Sequence, residues 1–68
     1  MNAMDNLLEM MAVFGLPVLK QGEKQVETLS GFLIEVERVG LYKLIHLGDV
    51  IAPFDDLEEM CDFIKEHS

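Results

Sequence analysis

The stretch GFLIEVERVGLYKLIHLGDVIAPF, residues 31–54, holds most of the β-branched and aromatic residues of the chain and two internal turn signals. Residues 32–37 alternate, with Phe32, Ile34 and Val36 on one side and Leu33, Glu35 and Glu37 on the other, the period-2 pattern of a half-buried strand. Arg38, Val39 and Gly40 supply a turn, residues 41–47 a second strand, and residues 50–54 a third. Between these last two lies Gly48-Asp49, a pair suited to the primed two-residue turns. Pro53 has no N–H to give a ladder, which places the third strand at an edge. The stretch predicts a three-stranded antiparallel meander.

Two registers are open, and a slip of one residue exchanges the faces of a strand. If Val39-Gly40 alone form the loop, Ile34 faces Ile45, Val36 faces Lys43, and the second face carries Leu33, Tyr42, Leu44, Ile51 and Pro53. If Arg38-Val39-Gly40 form it with glycine left-handed, Glu35 faces Lys43 and the other alternation is selected. Apolar burial favours the first, and turn chemistry the second, because β-branched Val39 resists positive φ. In both, apolar residues fall on each face of the sheet.

Outward from the meander, each end of the chain reads as one helix. Over residues 4–14, Met4, Leu7, Leu8, Met11 and Phe14 recur at helical spacing, with Asn2 placed to cap the start and Gly15 and Pro17 to end it. Met10 and Ala12 widen the apolar arc to roughly 200°, about twice what one core-facing stripe needs. The closing helix is expected to begin near Asp55, with Glu58 three residues later in a capping-box spacing. Leu57, Met60, Cys61 and Ile64 form its stripe, extended by Phe63, while Glu58, Asp62 and Glu66 stand at four-residue intervals opposite. Residues 18–30 read as a connection with a short edge strand over residues 26–29.

The fold class these readings give is α+β: a single domain, residues 1–68, of α-β-β-β-α order with the two helices packed on one face of the meander. That order resembles the double-stranded RNA-binding domain across the whole chain, in topology. The family relies on a basic cluster opening its second helix. Here the matching place reads Asp55-Asp56-Leu57-Glu58-Glu59, so the resemblance does not carry over the family's function.

Composition narrows function by exclusion. Half of the 68 residues are hydrophobic, which opposes disorder despite a net charge of −8. A domain this small buries only about 60% of its unfolded surface and usually needs a disulfide, a metal or association for stability. Cys61 is the sole cysteine, and the acids around it disfavour a reactive thiolate. His46 and His67 belong to no cluster at metal spacing, so no metal or cofactor is expected. Association remains.

The uncharged run of residues 10–19 is too short to span a bilayer and lacks the flanks of a signal peptide, which points to a soluble cytoplasmic protein without membrane contact. Lys20, Lys24, Arg38, Lys43 and Lys65 are scattered and form no stripe for phosphates, so direct nucleic-acid binding is not expected. Thr28, Ser30 and Tyr42 lack the context of a nucleophile, and His46 near Asp49 lacks an accompanying oxyanion site, so an enzyme is not expected either. The reading is a small acidic non-catalytic interaction or regulatory module. It is expected to pair with another protein or itself, most simply as a homodimer, through the second sheet face and the first helix. The candidate partner-binding residues are Met10, Leu33, Tyr42, Leu44, Ile51, Glu58, Asp62 and Glu66. Six of the thirteen acids fall in the last fourteen residues. The alternative reading is therefore an acidic inhibitor that imitates nucleic-acid charge and fills a basic groove on its target.

Overall fold

Helix α1 (Ala3–Phe14) stops where its sequence says it should. Gly15 takes φ 69°, its N–H donates to the Ala12 carbonyl at 3.1 Å, and the Leu16 N–H reaches back to Met11 at 2.9 Å. Both bonds belong to a Schellman stop, and the apolar contact that usually accompanies it is available because Met11 and Leu16 are both buried. The computed structural model describes residues 3–67, so the Asn2 cap expected for this helix lies outside the described residues.

The sheet has five strands, not three: β1 (Val18–Gln21), β2 (Gln25–Thr28), β3 (Phe32–Arg38), β4 (Leu41–His46) and β5 (Asp49–Phe54), before helix α2 (Leu57–Glu66). All are antiparallel, in the order β1-β2-β3-β4-β5. The stretch expected to be a connection with a short edge strand over residues 26–29 is a hairpin closed by the Gly22 N–H donating to the Gln25 carbonyl at 2.8 Å; the expected strand is β2, and it is interior rather than an edge because β1 pairs along it. Strand β1 gave no sequence signal because all four of its residues are exposed, which leaves no alternation to read. With two further strands, the topological resemblance to the double-stranded RNA-binding domain no longer holds.

The register is the one that turn chemistry selects. Glu35 faces Lys43, Ile34 faces Leu44 and Phe32 faces His46. Gly40 carries the left-handed φ, 82°, so Val39 is spared it. At the hairpin end Arg38 pairs with Leu41 across Val39-Gly40, and an irregularity between Val36 and Arg38 then shifts the ladder. The short loop and the second register thus coexist, joined by a one-residue bulge.

The next turn is a primed two-residue turn displaced by one position. It comprises Leu47 and Gly48, with φ of 53° and 83°, and leaves Asp49 paired to His46. Leucine is poorly suited to this conformation, which costs an L-residue about 1–2 kcal/mol. Its side chain is 85% exposed, so no burial offsets that cost within the domain.

One row across the sheet anchors the interior: Val26 pairs with Ile34, Ile34 with Leu44, and Leu44 with Ala52, the first three with no exposed surface. Phe32, Val36 and Tyr42 lie on the same face. Leu7 and Met11 from α1 and Met60, Cys61 and Ile64 from α2 complete one core with them, and α1 touches α2 and β3 while α2 touches β5. The arc of α1 is largely absorbed here, since Met4, Leu8, Met10 and Phe14 also pack against the core. Buried Thr28 ends β2, its Oγ1 accepting from the Phe32 N–H at 3.0 Å. Helix α2 begins one residue later than expected: Asp56 caps it, its Oδ1 accepting from the N–H groups of Glu58 and Glu59 at 2.9 and 3.3 Å.

These placements fix two outcomes. Leu44→Ala should cost about 2–5 kcal/mol and Ile45→Ala clearly less in urea unfolding, the reverse of what the slipped register requires. Leu47→Asn should raise stability by about 1 kcal/mol, since asparagine accepts a left-handed φ and Asn-Gly is the preferred pair for this turn.

Candidate interaction surface

The face of the sheet turned away from the core alternates with it along β2, β3 and β4. One row across it reads Lys20, Glu27, Leu33, Ile45 and Val50, and the next reads Gln25, Glu35, Lys43 and Pro53. Leu33 and Ile45 are half-buried cross-strand partners, and Val50, beyond Ile45, is 57% exposed. The apolar part of this face is therefore a short band from the sheet centre to the β5 edge. Ile51 sits at a register shift between the Ile45 and Leu44 pairings, 41% exposed.

Polar groups frame the band. Lys43 Nζ lies 2.8 Å from Glu37 Oε1, and hydrogen bonding to Glu37, its charge, and the added charge of Glu35 hold the Lys43 ammonium above its usual pKa. Like acids on this face are thus partly compensated along the Glu35-Lys43-Glu37 line.

Of the residues expected here, Leu33 lies on the open face and Ile51 at its β5 border. Tyr42 and Leu44 do not: they are 3% and 0% exposed, on the core side, and the expectation is corrected by the register. Ile45 was missed for the same reason, being assigned to the inner face whenever Leu44 is assigned to the outer one. Met10 is half-buried and packs on the core from α1, away from Leu33. Glu58, Asp62 and Glu66 are exposed on α2.

The residues with chemistry in their side chains are placed structurally. The His46 ring stacks on Phe32 with centroids 4.6 Å apart, and the His67 ring stacks on Phe63 at 4.2 Å while its Nδ1 lies 2.8 Å from the Phe63 carbonyl. Thr28 and Ser30 hydroxyls lie 3.0 Å from each other at the β2–β3 turn. Among the described residues no three His, Cys, Asp or Glu side chains converge as metal ligands, and no helix is long and apolar enough to cross a membrane.

Comparison with protein-family models, with curated proteins and with solved structures finds no match to this chain. What the fold and surface define is a class: an α+β domain of net charge −8 with one sheet face buried under its core and the other carrying a mixed apolar and charged surface.

Burial pushes the Cys61 thiol up from 9.0 to about 11. Between those values the unfolded chain has released the proton and the native one has kept it, so stability is full below pH 9 and falls as pH rises toward 11. The slope from this group reaches at most about 1.4 kcal/mol per pH unit. Cys61→Ala should remove that component, read as the difference between wild-type and variant urea unfolding across the window.

Proposed function

We propose that this protein is a non-catalytic interaction module that pairs with a second copy of itself through the open face of its sheet, with both helices taken on the opposite face. The observation that carries the reading is the row Leu33, Ile45 and Val50, apolar and contiguous, on the side of the sheet that neither helix packs on among the described residues. Total accessible surface is 4343 Å², close to the roughly 4300 Å² expected of an ordinary monomer of this mass, so the fold itself is fully collapsed.

Charge supports a self-complementary contact. A two-fold pairing places the same patch on both sides, and a patch holding Lys43 beside Glu35 and Glu37 carries both signs. Area limits its strength. Five strands spaced about 4.8 Å apart, about six residues long, offer a footprint near 480 Å² per copy, or about 1000 Å² in total, the small end of specific interfaces. The pairing is accordingly concentration-dependent. Helix α1 contributes little, because its apolar arc is spent on its own core.

A second reading keeps the acid-rich helix as the active surface: Glu58, Asp62 and Glu66, all exposed, would dock into a basic groove as an imitation of nucleic-acid charge. It requires no contribution from the sheet.

Sedimentation equilibrium between about 10 and 500 µM tests the first reading, with a monomer–dimer transition expected in that interval. Ile45→Glu and Leu33→Glu should each hold the protein monomeric while leaving its circular dichroism unchanged. A wild-type monomer throughout the range removes the reading.

A further inference from the structure

The end of the molecule where α1 meets β1 carries a groove that the sheet-face pairing does not use. Its walls are Phe14, Leu16 and Pro17 from the α1–β1 connection and Leu29 and Ser30 from the β2–β3 turn, with Lys65 of α2 at one rim, around a depression of about 320 Å³. The two backbone segments are tied together by the Leu29 N–H donating to the Pro17 carbonyl at 3.1 Å, so the groove is part of the fixed framework. Leu29 is 63% exposed at its edge, although the turn it occupies needs no apolar side chain there.

Phe14 is also a wall of a second depression, formed with Asp56, Glu58, Glu59 and Asp62 on the N-terminal half of α2. The two depressions therefore share Phe14 as a wall and lie side by side, one largely apolar and the other acidic. Among the described residues no Lys or Arg forms an ion pair with Glu58, Glu59 or Asp62. Glu58 and Asp62, one helical turn apart, repel each other at a cost of a few tenths of a kcal/mol to α2. A cationic ligand would turn that cost into attraction, and the apolar groove beside it would take the other face of the same ligand.

We propose that this composite groove binds a basic amphipathic segment of a partner protein. Its apolar side chains seat against Phe14, Leu16, Pro17 and Leu29, and its Lys or Arg side chains lie over Glu58, Glu59 and Asp62. Lys65 fixes the direction: the basic residues of the segment lie toward the N-terminal half of α2, away from it. The proposal stands apart from the sheet-face pairing. It differs from nucleic-acid mimicry in making this protein the receptor and in requiring apolar contact.

The test is a fluorescence anisotropy titration with an 18-residue peptide of leucine and lysine in helical amphipathic order, beside a scrambled peptide of the same composition, length being about that of five helical turns. Saturable binding of the ordered peptide is expected, at least tenfold tighter than the scrambled one. The decisive variant is Leu29→Asp. It makes the protein more acidic, so attraction by charge alone would strengthen binding, whereas seating in the groove predicts at least a tenfold loss. Glu58→Lys with Asp62→Lys should give a comparable loss, and Leu33→Glu no change. Equal affinity for the scrambled peptide, or tighter binding by Leu29→Asp, overturns the proposal. So does the absence of saturation for the ordered peptide.

Discussion

Everything in this fold depends on one row of side chains crossing the sheet, Val26, Ile34 and Leu44, each entirely withdrawn from water. At about 25 cal/mol per Å² of apolar surface, each such side chain contributes roughly 1.5–3 kcal/mol, and the side chains equally withdrawn from water, Leu7, Met11, Met60, Cys61 and Ile64, all come from the helices that cover this row. The row sets which alternation faces inward on three consecutive strands at once. It therefore decides what the opposite face presents: Leu33 and Ile45 flanked by Glu27, Glu35 and Lys43.

The turns are what hold that row in line. Glycine at position 40 accepts the left-handed backbone that Val39 resists, and the irregularity at the end of β3 absorbs the mismatch between a two-residue loop and the register of the rest. The turn at Leu47-Gly48 achieves its geometry at the expense of a leucine with φ 53°. A strained backbone is retained when its surroundings over-determine it, and here two ladders converge on it from both sides.

Both helices and the three strands of the central meander were legible in the residues themselves, because each pairs a strong period with a clear stop. The helix ends were marked by Gly15 and by the acids at residues 55 and 56, with an error of one residue at the second. Strand β1 was not legible: Val18, Leu19, Lys20 and Gln21 all face solvent, and backbone pairing alone makes the strand. The register was legible only through turn chemistry. The competing argument, maximum apolar burial, placed Tyr42 and Leu44 outside because it could not weigh Phe32 stacking on His46 and Tyr42 packing in the core. The acid-rich face of α2 was plain in the sequence, whereas the groove at Phe14 and Leu29 joins residues fifteen apart across a backbone contact that no local pattern announces.

Both rims of the sheet are irregular. The β1 ladder shifts between Val18 and Lys20, and β5 shifts at Ile51 and then carries Pro53, which has no N–H to offer. Neither outermost strand presents an unbroken row of donors and acceptors, so the sheet is a poor template for adding strands from other molecules edge to edge. Irregular outer strands of this kind disfavour the edge-to-edge pairing from which cross-β stacking grows.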